Sequence, residues 1–435
     1  MNIVLQNITT ENISESTVEN TSTESVYNSV SQDTTAVLDS YIYQDGNKII
    51  YSESETVEYD SVKQCREAID TYFSFYFRQL ATIPNVTTGH CYLINLSKVI
   101  NYFVQSSNLV IQLSDGILTI PCINATHATN HLNYLDFAYK NTSFIAASAG
   151  KNILYVDADN YTTLTSALAV AVSGDMIVVD KMLSERVLLK DGVDIWFNAG
   201  AGNIYSVAIG QTLFYTNVAI TCNIYGYGIF ANTNPLGGTL FRFEFNSIVN
   251  VGYESMSTAL GAACVYAYGA NAGGATMRSK GYSMTGRPLD SDGETYLLDA
   301  DAVNMIAPGN DTVLYPDNSL NTYFYLRNAL MTNDSDIYGT LFLQSNFASI
   351  YDVNLINTRS ENYGSKSVIH SPADEVHTVR LFNSLSKADT KIIETQYGQN
   401  TNVTAYGDYN FMNIENYSDT NLTGTVQVDS NLIIE

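Results

Sequence analysis

Five carboxylates lie close together in the stretch RPLDSDGETYLLDAD. They are the side chains best suited by type to acid–base chemistry: Asp290, Asp292, Glu294, Asp299 and Asp301. A glycosidase needs two carboxyl groups about 5–9.5 Å apart, one to protonate the leaving oxygen and one to attack or to activate water. Asp374 and Glu375 form a second candidate pair. The first group also fits a solvated, glycine-containing turn or a weak calcium site, although it departs from the full calcium-loop motif.

Basic and imidazole side chains offer two further kinds of site. A polysaccharide lyase would need a base beside a calcium-bound uronate, and Arg242, Lys280 and Arg287 are available, although none lies in a defined motif. His127 and His131 are four residues apart and would share one helix face, where they could bind a metal. The sequence lacks a third ligand and the HExxH pattern, which favours a polar surface pair. We therefore assign no catalytic, cofactor-binding or metal-binding residue.

Composition and missing motifs argue against several classes of function. The chain has 435 residues and a net charge of −24, from 44 acidic and 20 basic residues. A phosphate backbone would be repelled, so nucleic acid is not an expected partner. No stretch approaches the ~18 apolar residues of a membrane-spanning helix, so no membrane insertion is expected. The sequence also lacks the nucleophile elbow of hydrolases, the phosphate-binding loop and a complete dinucleotide fingerprint.

The cysteines and the N-terminus bear on where the protein is made. Five cysteines lie far apart, with no CxxC pair: Cys65, Cys91, Cys122, Cys222 and Cys264. An odd, scattered set predicts buried thiols in a protein made in a reducing compartment, rather than a disulfide framework or a zinc site. The first residues, MNIVLQNITTENIS, lack a basic segment followed by a long apolar one, so no secretory signal is expected.

Short apolar strands recur after Gly174 with alternating short and long steps. Their centres are Leu188, Ile195, Phe214, Ile224, Phe241 and Val249. The steps between them are 7, 19, 10, 17 and 8 residues, and any two neighbouring steps span 25–29 residues. This rhythm suits a chain that winds in coils of nearly constant length, with two strands per coil. It predicts a parallel β-helix in which stacking joins the apolar stripes of single coils into one core.

The residues before the β-helix divide into an arm and a small module. Residues 1–55 are rich in Ser, Thr, Glu and Asn, which predicts either a disordered tail or an arm that orders against a partner. Residues 56–150 are predicted to form an α+β adaptor or anchoring module. It contains an aromatic helix from Asp60 to Leu80, which should pack on another domain or on copies of itself, and a hairpin formed by NLVIQL and ILTIPCI.

A helix is predicted to cap the first coil of the β-helix, which is assigned residues 151–435. The pattern indicates a strand at Ile153–Val156, a helix near 163–172 and a strand at Met176–Val179. The open end of a β-helix exposes strand edges and core side chains, and a helix placed there would cover both.

Two other features of the β-helix follow from its small and polar residues. The glycines and alanines in GAACVYAYGANAGGATMRSKGYSMTG predict tight turns and a loop insertion near 258–320. Asparagines recur near the later turns, among them Asn354, Asn357 and Asn383. Asparagine tolerates left-handed backbone and can stack in hydrogen-bonded ladders between coils, so we expect some of these residues to do so.

The opening coils resemble those of pectate-lyase-like β-helix proteins, in the version found in bacteriophage tailspikes and fibres. The run YTTLTSALAVAVSGDMIVVD has a short helix and a Gly-Asp step at Gly174 and Asp175. ERVLLKDGVDIWFNAGAG follows as a coil from Val187 that ends in a small-residue turn at Gly200. CNIYGYGIF, at 222–230, is similar to the recurring strand and Gly-x-Gly turn of the family. The resemblance covers residues 151–258 and implies a fold rather than a chemistry.

The sequence therefore predicts a mainly β protein, a right-handed parallel β-helix with an N-terminal arm and a small α+β anchoring module. The resemblance implies a virion structural protein, a homotrimeric fibre or spike on the head or tail, made in the host bacterial cytoplasm. Residues 1–150 would join other virion proteins, and tyrosines near 258–320 and on the exposed flanks would stack on a host-surface glycan. A three-fold bundle would also bury apolar, tyrosine-rich outer faces, and the chain has 32 tyrosines.

Two other functions stay open beside the fibre, for which we expect no enzymatic activity and no cofactor. An enzymatic tailspike would cleave capsular polysaccharide or lipopolysaccharide, and should have two close carboxylates on adjacent coils of a groove. A bacterial adhesin would carry an export signal, which is not expected here. Release of reducing sugar separates the enzyme from the fibre, which should instead form a stable trimer.

Overall fold

The computed structural model describes the chain from residue 39 to residue 428, with gaps. The described residues are 39–52, 55–200, 202–205, 210–232, 238–259, 262–269, 274–317, 322–344, 350–365, 367–371, 377–388, 393–395, 402–406, 414–416 and 426–428. The protein is mainly β, with 49% strand and 16% helix, and residues 153–382 form a parallel β-solenoid of about eight turns. The predicted fold class is confirmed. Residues 1–38, Asp374 and Glu375 lie outside the described residues.

A five-stranded antiparallel sheet opens the described part of the chain. Its strands are β1 (Tyr41–Asp45), β2 (Lys48–Tyr51), β3 (Glu55–Glu58), β4 (Leu80–Pro84) and β5 (Cys91–Asn95). Their order across the sheet is β3-β2-β1-β5-β4. The helix α1 (Val62–Tyr76) begins after Ser61, whose side chain accepts a hydrogen bond from the backbone of Gln64. It packs on the sheet through the buried face that contains Ile69 and Phe73.

Strands β1 and β2 lie within residues 1–55, the segment predicted to form the arm. β1 pairs with β2 and also with β5, which is distant in the sequence. Ile42, Ile49 and Tyr51 are buried in the cluster that α1 covers. The prediction that residues 1–55 form an arm outside the α+β module is therefore wrong for residues 41–51. The apolar residues there are few, and it is the long-range pairing with β5 that makes them part of a core.

A second, three-stranded antiparallel sheet follows. Its strands are β6 (Val99–Gln105), β7 (Asn108–Leu113) and β8 (Gly116–Pro121). β7 and β8 are the predicted hairpin, which is confirmed. The long helix α2 (Ala125–Thr142) packs on the inner face of this sheet, and the short helix α3 (Phe144–Ser148) follows it. We call residues 39–150, with both sheets and these three helices, the N-terminal module.

The solenoid contains one capping helix and 28 strands among the described residues. The helix is α4 (Leu164–Val170). The strands are β9 (Ile153–Val156), β10 (Met176–Val179), β11 (Val187–Leu188), β12 (Asp194–Phe197), β13 (Asn203–Tyr205), β14 (Phe214–Tyr215), β15 (Thr221–Gly226), β16 (Ile229–Asn232), β17 (Phe241–Glu244), β18 (Ile248–Gly252), β19 (Ser255–Thr258), β20 (Ala263–Gly269), β21 (Thr276–Thr285), β22 (Arg287–Gly293), β23 (Leu297–Ala307), β24 (Leu314–Pro316), β25 (Thr322–Arg327), β26 (Leu330–Asn333), β27 (Leu341–Phe342), β28 (Tyr351–Ile356), β29 (Arg359–Asn362), β30 (Ile369–Ser371), β31 (Thr378–Phe382), β32 (Leu385–Ala388), β33 (Ile393–Thr395), β34 (Asn402–Tyr406), β35 (Ile414–Asn416) and β36 (Val426–Val428).

Three parallel sheets run along the solenoid, because each coil contributes three strands. Sheet I contains β9, β10, β12, β15, β18, β25, β28, β31, β34, β36 and the N-terminal halves of β21 and β23. Sheet II contains β13, β16, β19, β26, β29, β32, β35 and the C-terminal halves of β21 and β23. Sheet III contains β11, β14, β17, β20, β22, β24, β27, β30 and β33.

The prediction of two strands per coil is wrong, although all six predicted strand centres lie in strands. The strand that was missed is that of sheet II. It is short, it follows the sheet I strand after a corner of two residues in most coils, and its inward side is narrow. In β19, for example, Met256 is buried while Ser255 and Ser257 on either side are not. A single apolar residue gives no periodic signal.

The predicted loop insertion near 258–320 is also wrong, since the described residues there form β20 to β24 of the regular coils. The small residues serve packing instead. Ala267, Ala300 and Ala302 belong to the solenoid core. Gly281 lies against the buried ring of Tyr253, and a Cβ at Gly281 would lie only 2.2 Å from that ring. Small side chains are needed here because a large ring already fills the coil.

The core is continuous along the solenoid, from Val156 to Leu381. Inward side chains of neighbouring coils stack directly on one another. The rings of Phe214 and Phe241 are parallel, with centroids 4.7 Å apart, and Phe230 meets both edge to face. Because adjacent coils share their apolar side chains, no coil is stable without its neighbours.

The capping helix α4 is confirmed at the first coil. Thr163 caps its N-terminus in a reciprocal pair with Ser166. The carboxylate of Glu185 accepts hydrogen bonds from the backbone of Leu164 at 2.7 Å, and Lys190 donates to the carbonyl of Leu168 at 3.0 Å. An acidic group at the N-terminus and a basic group at the C-terminus oppose the helix dipole. The second coil therefore holds the helix that covers the first.

Asparagines form a hydrogen-bonded ladder at the corner between sheets I and II. Asn328, Asn357 and Asn383 have φ values of 60°, 55° and 47°. The amide of Asn383 donates to Asn357 at 2.8 Å, and the amide of Asn357 donates to Asn328 at 2.9 Å. The predicted ladder is confirmed for Asn357 and Asn383. Asn354 does not join it, because its amide donates to Asp352 within β28.

The N-terminal module packs along this corner of the solenoid. Arg78 donates to the carbonyl oxygens of Gly226 and Tyr253, at 3.0 and 3.1 Å. Arg66 of α1 donates to the carbonyl oxygens of Asn357 and Asn383, at 2.9 and 2.8 Å. These contacts join α1 and the turn after it to four different coils. The aromatic helix was predicted to pack on another domain or on copies of itself, and it packs on the solenoid of the same chain.

Replacing Val187 by Asp should unfold the first coils, whereas replacing its neighbour Leu188 should not. Val187 is fully buried in the core and Leu188 is 38% exposed on the opposite side of β11. An unpaired buried charge costs about 3–5 kcal/mol, and an exposed substitution about 0.5 kcal/mol. Chemical denaturation of the two variants measures the difference. Equal losses of unfolding free energy would contradict the assigned inward face.

Candidate functional site

One outward row of side chains on sheet III combines aromatic and charged residues. Register pairing places Leu188, Tyr215, Arg242, Tyr266, Asp290 and Tyr315 opposite one another on successive coils. The ring of Phe342 continues the row, parallel to Tyr315 at 5.4 Å between centroids. We call the five residues from Tyr215 to Tyr315 the tyrosine row. Its three tyrosines are half-buried, so part of each residue stays at the surface.

Each tyrosine of the row lies beside an arginine from the preceding coil. The guanidinium carbons of Arg186, Arg242 and Arg287 lie 3.8, 5.6 and 4.8 Å from the ring centroids of Tyr215, Tyr266 and Tyr315, respectively. Cation–π attraction of this kind holds both partners in place. The ring faces turn toward neighbouring coils. The hydroxyl of Tyr266 donates to Asp292 at 3.3 Å, and the hydroxyl of Tyr315 donates to Gln344 at 3.0 Å. The result is a row of positioned donors and acceptors on an outer face.

Two carboxylates share this face on β22. Asp290 and Asp292 both point outward, since Ser291 between them is fully buried. Residues two apart on a strand have Cα atoms ~6.7 Å apart, which is compatible with the carboxyl spacing of a glycosidase. Burial raises the pKa of Asp290 to about 7, with Arg287 opposing the rise. Asp290 can therefore hold a proton near neutral pH, as a general acid must.

Asp299 and Asp301 lie elsewhere, although the sequence places them close to Asp290. The chain turns a corner after β22, so β23 carries them in sheet I rather than sheet III. Both are fully buried. The predicted five-carboxylate cluster is therefore divided between two sheets, with Glu294 at the corner between them.

The buried pair is neutralised by two basic residues. Arg327 binds Asp299 with both branches, at 2.8 and 3.0 Å, and Lys280 binds Asp301 at 2.5 Å. The hydroxyl of Tyr134, from α2, also donates to Asp301 at 2.6 Å. Burial raises the pKa of Asp299 and lowers the pKa of Lys280. These groups join the module to the solenoid and do not face solvent, so they are structural rather than catalytic.

The two histidines belong to the same buried network, and the prediction of a polar surface pair is wrong. Both lie on α2 and are only 2–3% exposed, because the solenoid covers this helix face. Tyr325 lies 3.1 Å from His127, and Arg327 donates to Nδ1 of His131 at 2.9 Å. Burial and the charge of Arg327 hold the pKa of His131 well below its usual range. His131 is thus a neutral acceptor in this contact.

The other predicted site residues are not brought together. Arg242 pairs with Glu244 at 2.9 Å, and Arg287 pairs with Asp290 at 3.2 Å and Asp311 at 2.7 Å, all near sheet III. Lys280 is buried under the module on sheet I, so the three candidate lyase bases do not share a site. Among the described residues, no group of three or more His, Cys, Asp or Glu side chains could hold a metal. The five cysteines are free and buried, as predicted.

The tyrosine row was only partly predictable. Tyr266 and Tyr315 fall in the stretch whose tyrosines were expected to contact sugars, but their alignment with Tyr215 was not predicted. A weak signal exists in the dipeptides Phe214-Tyr215, Val265-Tyr266 and Leu314-Tyr315, each an inward apolar residue followed by an outward tyrosine. The register that aligns them depends on coil lengths, which vary along the chain.

Comparison with protein-family models, with curated proteins and with solved structures finds no match for this chain. Within the described ranges, the helices are too short or too polar to cross a membrane.

Replacing Asp299 by Ala should destabilise the protein strongly, since it leaves Arg327 buried without its carboxylate. Removing one partner of a buried ion pair costs about 3–5 kcal/mol. The matched control is Glu58→Ala, which breaks an ion pair with Lys48 on the exposed edge of the first sheet and should cost below about 1 kcal/mol. Denaturant titration measures both variants. A loss for Asp299→Ala as small as that of the control would contradict the network.

The titration of Asp290 should make wild-type stability fall as the pH rises from about 4 to 7. The folded protein keeps the proton up to about pH 7, whereas the unfolded chain loses it near its ordinary pKa of 3.8. In this window the folded state binds more protons, so unfolding free energy decreases with pH, by at most ~1.4 kcal/mol per pH unit. Asp290→Asn lacks this slope. A pH-independent difference between the two proteins would contradict the shift.

Proposed function

We propose that this protein is a structural component of a bacteriophage particle, a fibre or spike that binds polysaccharide on the host surface. The resemblance of residues 151–258 to phage β-helix proteins and the solenoid itself support the particle assignment. The tyrosine row carries the binding assignment. The row repeats over five coils, although packing of the core does not require aromatic residues on the outer face. It also offers polar groups in fixed positions.

The chemistry of the row suits sugars better than other polymers. Tyrosine hydroxyls, guanidinium groups and carboxylates are complementary to the hydroxyls of a polysaccharide. The net charge of −24 opposes nucleic acid. The regular spacing of the coils presents the same binding groups repeatedly to a linear polymer. A small ligand could contact only one set of these groups. A host-surface glycan is therefore the proposed partner.

The proposed assembly is a homotrimer that packs through sheet II. The outward side chains of this sheet are small and polar on β19 and β21, including Ser255 and Ser283. Ile306 and Leu330, on neighbouring strands, are 39% and 36% exposed. Exposed apolar side chains on an outer face favour contact between copies.

The N-terminal module is the proposed link to other virion proteins, as part of residues 1–150. Its inner side is used by the solenoid, so attachment would use its outer side. Ile100, Phe103 and Ile117 are exposed on the outer face of the second sheet, at 70%, 40% and 69%. β6, β7 and β8 contain no charged residue, which supports a protein contact on this side.

A depolymerase is the second candidate function, and Asp290 is the observation that favours it. Its proton is retained near neutral pH, and Asp292 lies on the same face two residues away. In such an enzyme Asp290 would protonate the leaving oxygen and Asp292 would attack the sugar or activate water.

The full-length protein should have a mass in solution of three chains of 47.8 kDa. Light scattering after size exclusion measures this mass. The double variant Ile306→Asp, Leu330→Asp should give single chains, because it places charges in the proposed contact. Ile337→Asp, at a residue 50% exposed outside sheet II, should leave the trimer intact. Single chains in the wild type, or a trimer in the double variant, would contradict the assembly.

The wild type should bind capsular polysaccharide or lipopolysaccharide from at least one strain of a bacterial panel. Tyr266→Ala should reduce binding about tenfold or more, whereas Tyr363→Ala, at a tyrosine 59% exposed outside the row, should not. Biolayer interferometry measures the affinity. Undiminished binding by Tyr266→Ala, or no binding across the panel, would contradict the proposal.

Reducing ends measured in the same mixtures separate the two candidates. A fibre releases none. A depolymerase releases them, and Asp290→Asn stops the release.

A further inference from the structure

The tyrosine row repeats every two coils, although the fold repeats every coil. Tyr215, Tyr266 and Tyr315 occupy the same register position on alternate coils, with Arg242 and Asp290 on the coils between them. Neighbouring parallel strands are 4.7–4.9 Å apart, so successive tyrosines are separated by ~9.5 Å and the outer two by ~19 Å.

The arginines follow the same two-coil period. Arg186, Arg242 and Arg287 come from the coil before each tyrosine, and each guanidinium lies beside the ring of that tyrosine. The row is thus three copies of one arginine–tyrosine unit. The arginines occupy different positions relative to their strands. The three copies therefore share a contact between guanidinium and ring, not a fixed spacing in the sequence.

The two-coil period belongs to the outer face of sheet III alone. The inward residues of the same strands, Val187, Phe214, Phe241, Val265 and Leu289, show no alternation of this kind. Cation–π contacts between coils favour the alternation of ring and charge. The outer face therefore presents the same arrangement of groups to a ligand every two coils.

Arginines on this face are neutralised by neighbouring carboxylates. Arg242 binds Glu244, and Arg287 binds Asp311. An anionic polymer would have to compete with these carboxylates, in a chain of net charge −24. An uncharged polymer meets no such penalty, and its hydroxyls can accept from guanidinium groups and donate to carboxylates.

We propose that the tyrosine row binds an extended, uncharged polysaccharide that lies parallel to the solenoid axis, with one disaccharide for each arginine–tyrosine unit. Two pyranose residues of an extended chain are about as long as two coils. Three units take six sugar residues. This inference rests on the proposed function, in that it takes the ligand to be a glycan, and it adds the direction, the charge and the repeat of that ligand.

Oligosaccharides of graded length test the repeat on the full-length protein. The probes are dimers, tetramers, hexamers and octamers of β-1,4-linked glucose, N-acetylglucosamine and mannose, which are extended, of α-1,4-linked glucose, which is coiled, and of α-1,4-linked galacturonate, which is anionic. Isothermal titration calorimetry gives the affinities. For at least one extended series, affinity should rise about tenfold from dimer to tetramer and again to hexamer, with little gain in the octamer.

Variants at the middle tyrosine test the site. Tyr266→Ala should remove the gain between dimer and hexamer, because it interrupts the central unit, and Tyr266→Phe should lose only part of it. Tyr363→Ala is the control, and thermal unfolding by circular dichroism shows whether each variant is folded.

Three outcomes would overturn the inference. They are preference for the coiled or the anionic series, binding that does not depend on length, and no binding of any series. If bacterial polysaccharide still binds and Tyr266→Ala still abolishes that binding, the proposed function stands and only the register and charge of the ligand are wrong. If bacterial polysaccharide does not bind either, the proposed function fails as well.

Discussion

The burial of charged residues on the outside of sheet I is the constraint on which the structure depends. Lys280, Asp299, Asp301 and Arg327 point away from the solenoid core, yet they are fully buried because the N-terminal module lies over them. Charges without water are tolerated only when their partners are complete. The module supplies several of those partners, including the hydroxyl of Tyr134 and, as acceptors for Arg327, the carbonyl oxygen of Thr82 and a nitrogen of His131. Module and solenoid are therefore mutually dependent.

This constraint divides the outer surface of the solenoid among three uses. Sheet I is occupied by the module. Sheet II carries small polar residues with a few exposed apolar ones, which suits contact between copies. Sheet III carries the tyrosine row, where Asp290 keeps its proton near neutral pH and the arginines are held by rings and carboxylates. The same rigid stacking that makes a rod also sets the spacing of the row, so architecture and recognition have one physical origin.

Local patterns in the sequence were enough to predict the solenoid, its capping helix and the β7–β8 hairpin. Each depends on apolar spacing, caps and turns within about thirty residues. The rest depends on contacts between distant residues. The strands of sheet II have few inward apolar residues, with only Met256 on β19, and leave no periodic trace. Asp290 and Asp299 are neighbours in sequence but lie on different sheets, because a corner separates β22 from β23. His127 and His131 resemble a surface pair until the solenoid is placed against α2.

Hydrogen exchange of the full-length protein, followed by mass spectrometry, tests the dependence of module and solenoid most directly. If the buried charges join them, peptides from α2 and from β23 and β25 should exchange through the same opening, with equal free energies and the same response to denaturant. Exchange of α2 through a separate opening of lower free energy, while β23 stays protected, would show that the solenoid stands without the module and would contradict the account.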